Sequence, residues 1–284
     1  MRRFVVFAHF DRDNIVDDYV IYYLQSLRDV CNYLVFITTS NLPENEISKV
    51  NGICDQVVLR ENVGYDFMSY KMGLQHFENG EYDEIVLCND SVYGPLFPLD
   101  EMFTKMQVQD CDFWGITENY DITYHTQSYF LVFRKNVFES QCFKKFWEDV
   151  DIKEKKSDII EEYEIGLSQV LIKNGFRARA YITYHLSLLE FLMMRRLLIK
   201  KVFNLKSWVK LVKNVFSPGR ERTLNPTHYL WRQLIKEQRM PFVKIELLRD
   251  NPIKINIEDC ADIIIRYTDY DIELLERHLK RINT

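Results

Sequence analysis

Several short apolar runs in the first third of the chain stop abruptly on polar side chains, and this restricts the fold more than any other feature. RFVVFAH runs into His9, Phe10 and Asp11, YLVFITT into Thr38, Thr39 and Ser40, QVVL into RENVGYD, and EIVLCN into Asn89, Asp90 and Ser91. Runs this short and this uniformly apolar read as strands buried on both faces. Helix-like segments separate them. Val16, Tyr19, Val20, Tyr23, Leu24 and Leu27 recur at helical spacing, a second helix is expected over roughly residues 43 to 50, and a third begins at Asp66. Strands and helices alternating at this spacing imply a parallel sheet with helices on its faces, an α/β fold. Ligands of such sheets sit at the carboxyl ends of the strands, where these polar residues collect. Taken singly, Asp66 is explained as a helix cap and Asn89 and Ser91 as an Asx-type turn. Their clustering on one rim favours a binding role.

The later chain is less regular. DFWGIT (Asp112 to Thr117) and TQSYFLVF (Thr126 to Phe133) read as aromatic-rich strands, followed by helices over roughly 136 to 150 and 158 to 174 and by the strand GFRARAYITYH, which ends at His185. VKIELL and ADIIIRY read as strands between helix-like ends. The Gly94-Pro95 turn is expected to swing the chain off the rim. Only 9 glycines and 7 prolines among 284 residues argue for mostly regular structure, and 47% hydrophobic residues allow a large core. Six cysteines without a CxxC pair suggest neither a zinc site nor a disulfide framework, which fits a reducing cytoplasm.

The net charge of -5 hides an asymmetry. Phe191 to Arg220 carries Arg195, Arg196, Lys200, Lys201, Lys206, Lys210, Lys213 and Arg220 with no acid, interleaved with Leu, Ile, Val, Phe and Trp. One basic, apolar stretch on an acidic body argues against nucleic acid, and residues 191–216 are expected on an anionic membrane surface. A solvated basic face on a packed helix is the competing explanation. No window is apolar for long enough to span a bilayer, and the run before His9 is too short for a signal peptide.

In order and spacing, HFDRDN, ENVGYDF, NDSVYGPL, DFWGIT, YHTQSYFLVF, EEYEIGLSQVL and NPTHYLWRQLI resemble the rhamnan-synthesis F family of bacterial polysaccharide glycosyltransferases. The resemblance implies a GT-A-like, Rossmann-type nucleotide-sugar-binding domain over residues 1–187. Residues 188–284 then form a mostly helical extension packed on it. It also implies transfer of a deoxysugar, L-rhamnose from dTDP-β-L-rhamnose, onto a lipid-linked glycan for O-antigen, capsule or rhamnan, at the cytoplasmic face of the membrane. The implied mechanism is an inverting displacement. The other class kept open is a non-catalytic carbohydrate-binding or assembly-scaffold subunit.

Against that chemistry, His9, Phe10, Asn62, Gly64, Asp66, Asn89, Asp90 and Ser91 are the expected donor contacts. Asn89-Asp90-Ser91 stands at the Asp-x-Asp position of GT-A enzymes with a single carboxylate. Mg²⁺ or Mn²⁺ held by Asp90 and His185 and a metal-independent site therefore both stay open. Glu164 is the expected general base and Glu161 the reserve. Acids in a first helical turn are otherwise explained by the helix dipole. Trp114, His125 and Gln127 are the expected acceptor contacts, because sugar C–H faces pack on aromatic rings.

Overall fold

The computed structural model describes residues 1–78, 81–120, 122–153, 155–183 and 225–283. Strands β1 (Arg3–His9), β2 (Tyr33–Thr38), β3 (Gln56–Leu59) and β4 (Glu84–Asn89) lie parallel in the order β3-β2-β1-β4. After the two-residue β5 (Val92–Tyr93), the sheet continues through β6 (Phe113–Asn119), β7 (His125–Thr126), β8 (Phe130–Arg134) and β9 (Ala178–Ile182). β8 runs antiparallel between β4 and β6, while β9 lies parallel to β6 and β7 pairs with the far end of β6. The α/β expectation holds.

Alternation along the central strands sends side chains into two apolar layers. Val5 and Phe7 join one layer with Leu34, Phe36 and Val86, while Phe4, Val6 and Ala8 join the other with Val35, Ile37 and Leu87. Helix α1 (Asp18–Arg28) covers the first layer through Tyr19, Val20, Tyr23, Leu24 and Leu27. After α2 (Glu44–Asn51), helix α3 (Tyr65–Leu74) covers the second layer through Phe67 and Tyr70, against Trp147 of the helix Gln141–Asp149. Each of these buried side chains contributes about 1.5–3 kcal/mol.

Several expected elements change shape. TQSYFLVF splits into β7 and β8 with a turn at Gln127–Tyr129. The helix expected over 136 to 150 divides at Ser140, whose Oγ caps the second piece by accepting the Phe143 amide. ADIIIRY is the helix Cys260–Tyr267, and VKIELL is a two-residue strand, β10 (Val243–Lys244), followed by the helix Ile245–Arg249. The isoleucine run suggests a strand, yet Ile263 and Ile264 are buried with Cys260 while Ile265 is exposed. One helix face against the helix Trp231–Gln238 satisfies that distribution.

At the Gly94-Pro95 turn the chain stands off the cleft wall and packs on the C-terminal residues. β5 pairs antiparallel with β10, and a Cβ on Gly94 would sit 2.4 Å from the Pro241 carbonyl oxygen, so backbone approaches backbone closely there. The C-terminal residues thereby pack into the first layer, with Leu230, Leu234, Phe242, Ile264 and Leu275 in one cluster with Val5 and Phe7. The expected boundary at residues 187 and 188, the basic stretch 191–216 and His185 lie outside the described residues. Among the described residues no helix is long and apolar enough to cross a membrane.

Candidate active site

A cleft of about 880 Å³ opens at the carboxyl ends of β1 and β4. One wall comes from the strand ends and the start of α3, with Phe10, Asp11, Asp66, Asn89, Asp90 and Ser91. A second wall holds His125, Gln127, Ser128, Tyr129 and Glu164, and a third comes from the C-terminal residues, among them Lys244, Arg249 and His278.

The rim groups are bonded to one another. Asp90 accepts the Phe10 amide on Oδ2 at 2.8 Å, Asn89 donates its amide to Asp66 Oδ2 at 2.8 Å, and Asn89 Oδ1 accepts from Ser91 N (3.1 Å) and Oγ (2.6 Å). Tyr19 donates its hydroxyl to the Asp90 carbonyl at 3.1 Å. Burial pushes the Asp90 carboxyl well above the ordinary carboxylate range, opposed by the Phe10 amide and reinforced by the charges of Asp66 and Asp11.

Not every expected donor residue faces the cleft. His9 lies behind the rim, 3% exposed, with Nδ1 2.9 Å from Thr38 Oγ1 and Nε2 3.9 Å from Asp90 Oδ2. Burial pushes its imidazole down to about 4. The polar ends of β2 thus secure β1, since Ser40 Oγ likewise accepts the Asp11 amide at 2.7 Å. Asn62 and Gly64 are not on the cleft wall. Gly64 instead starts α3 at φ +72°, and the loop around it winds on the Arg60 guanidinium, which donates to the carbonyls of Val63 and Tyr65 at 2.6 Å each. That turn aims Asp66 at the rim.

On the facing wall, Glu164 lines the cleft and its Oε1 accepts the Ser128 amide at 2.8 Å. It sits in a wider π-helical segment, Ile159–Ile165, which turns Ile160, Glu164 and Ile165 to the cleft and leaves Glu161 exposed off the wall. The reserve base is therefore misplaced. Glu162 pairs with Lys153 at 2.6 Å. His125 and Gln127 do line the cleft, Gln127 accepting from Thr117 Oγ1 at 2.6 Å. Trp114 does not: it is wholly buried between Phe103 and Phe130, because its strand position faces the core.

At the Asp-x-Asp position the described residues offer a divalent cation one carboxylate, Asp90. That carboxylate already accepts the Phe10 amide, and Asn89 is engaged by Asp66 and Ser91. Among the described residues, three metal-ligating side chains converge at Asp11, Asp17 and His278, but there the Arg281 guanidinium is bonded to both carboxylates. Sequence reasoning passes over Lys244, Arg249 and His278, which line the cleft from more than 150 residues beyond the Asn89-Asp90-Ser91 turn and carry no local motif, and over Arg281, which bonds Asp11. The Lys244 ammonium stands 3.9 Å from the centre of the Tyr129 ring.

The chain is 32% identical to virulence protein VirA of Vibrio anguillarum over 88% of its own length and 81% of that protein's. Among solved structures, a nucleotidyl transferase from Methanothermobacter thermautotroptrophicus aligns at TM-score 0.41, with 10% identity over 71% of this chain and 99% of that one. The glycosyltransferase GlyE of Streptococcus pneumoniae aligns at TM-score 0.38, with 13% identity over 63% of this chain and 45% of that one. The family model described as rhamnan synthesis protein F matches residues 34–191, more than half of the chain. With that match and the similarity to VirA along nearly its whole length, the chain belongs to the rhamnan synthesis protein F family.

Proposed function

We propose that the protein is an inverting glycosyltransferase of bacterial polysaccharide synthesis, moving L-rhamnose from dTDP-β-L-rhamnose to a lipid-linked glycan. One observation carries the reading: a single cleft holds the polar ends of the two central parallel strands on one wall and a lone carboxylate, Glu164, on the facing wall. Membership of a family described by rhamnan synthesis supports the choice of sugar. In this reading the nucleotide lies along Phe10, Asp66 and the Asn89-Asp90-Ser91 turn. The acceptor hydroxyl meets Glu164 beside His125 and Gln127. Glu164 takes the hydroxyl proton as the oxygen attacks the anomeric carbon, and the bond to the nucleoside diphosphate breaks on the opposite face. The Ser128 amide fixes the carboxylate before substrate arrives. A basic stretch at 191–216 would bring the enzyme to the inner membrane face, where the acceptor lipid lies.

The test is a thermal-shift screen of dTDP, UDP, GDP and CDP with and without Mn²⁺, followed by transfer assays with the matching nucleotide sugars. A ligand at 100 times its Kd raises stability by about 2.7 kcal/mol. Selective stabilisation by dTDP, with transfer of rhamnose, is expected. A second reading, a carbohydrate-binding scaffold without turnover, draws on the single carboxylate of the Asn89-Asp90-Ser91 turn and on the hydrogen bonds that already engage the turn. Stabilisation by glycan but by no nucleotide would favour it.

A further inference from the structure

The β1–α1 loop carries Asp11, Asp13 and Asp17, and all three carboxylates turn to one cation, Arg281 of the helix Ile272–Ile282. Arg281 bonds Asp11, reaches Asp13 and Asp17 at 2.5 Å each, and is partly buried. Asp11 is itself 8% exposed, with Oδ1 accepting the amides of Asp13 at 2.9 Å and Ile15 at 3.2 Å. Burial raises its carboxyl, but the Arg281 bonds and charge outweigh that and leave it below its ordinary value. Removing the cation would strand a buried carboxylate and release the loop.

The next residue back from Asp11 is Phe10, whose amide binds Asp90 and whose ring is 51% exposed in the cleft. One turn before Arg281, His278 places Nδ1 2.6 Å from the Tyr93 hydroxyl, and its ring lies 4.6 Å from that of Tyr19, which bonds the Asp90 carbonyl. One C-terminal helix is therefore tied to both sides of the Asn89-Asp90-Ser91 turn.

We infer that Arg281 is a positioning residue for the donor site, holding the Asp11–Asp17 loop so that the Phe10 amide and ring stand at the Asp90 rim. What the rim binds rests on the nucleotide-sugar reading above; the positioning does not. Arginine suits the task because its planar fork presents five donors, whereas a lysine ammonium at this place satisfies fewer of the three carboxylates.

The experiment uses the full chain and two readouts. In hydrogen exchange, R281Q accelerates the Phe10 and Asp13 amides at least tenfold while the amides of β4 keep their wild-type protection, and R281K gives an intermediate rate. In calorimetry, R281Q weakens dTDP binding at least tenfold. F10A weakens it similarly, and the double variant is no worse than the poorer single one, since both remove the same contact. Arg2→Gln, which breaks the surface pair with Glu81, leaves both readouts unchanged. Should R281Q fail to fold, R281K carries the same comparisons. An unchanged Phe10 amide in R281Q or R281K overturns the positioning, as do fully additive effects of F10A and R281Q. If wild type binds no nucleotide while R281Q still loosens the Phe10 amide, the positioning stands and the nucleotide-sugar reading fails.

Discussion

Glu164, proposed as the base, is fixed by one backbone amide, and Asp90, proposed at the donor rim, by another. Glu164→Gln keeps the shape and the hydrogen bond from Ser128 but cannot accept the acceptor's proton. Transfer should fall by about 10²- to 10⁴-fold with dTDP affinity unchanged, measured by product chromatography and calorimetry. His9 gives a pH prediction. Its folded pKa of about 4 lies below the ordinary 6.5, so between those values the unfolded chain binds the extra proton and stability falls as pH falls. The contribution is fully present above 6.5 and shrinks by up to about 3 kcal/mol towards pH 4. Urea midpoints of wild type and His9→Asn should therefore converge as pH drops from 6.5 to 4; a constant gap would show that His9 is not buried neutral.

At the scale of elements, loop shape decides what reaches the cleft. Gly64 begins α3 at φ +72°, and a Cβ there would meet Met68 Cβ at 3.0 Å. Gly64→Ala is expected to lower stability by about 1–2 kcal/mol in urea titration and to weaken nucleotide binding by moving Asp66. Ser140→Ala removes only a cap and should cost about 1 kcal/mol without touching binding. Few residues other than glycine accept the backbone found at Gly64. The helix Cys260–Tyr267 was not legible as one: three consecutive isoleucines suit a strand, and a helical neighbour, absent from the local pattern, made one face worth burying. The same holds for Glu161 and Glu164, acids three residues apart that a π-helical turn sends to different surroundings.

Across the whole molecule, the C-terminal residues and the sheet share an apolar layer, in which the Phe242 ring lies 5.1 Å from that of Tyr23 and 5.7 Å from that of Phe130. Phe242→Ala should destabilise the protein by about 3–5 kcal/mol, and far-ultraviolet dichroism and tryptophan fluorescence should still report one coincident transition. Separate transitions would mean that the C-terminal part folds on its own. The sequence by itself determined the parallel sheet, the polar rim at the ends of β1 and β4 and the residues Asp66, Asn89 and Asp90, because buried strands need uninterrupted apolar runs and those runs end where the sheet ends. Tertiary structure alone decided that Trp114 is core, that Asn62 and His9 stand off the cleft, that Lys244, Arg249 and His278 line it, and that Arg281 bonds Asp11 on its wall. Those placements depend on packing between segments far apart in the chain, and local patterns carry no record of it.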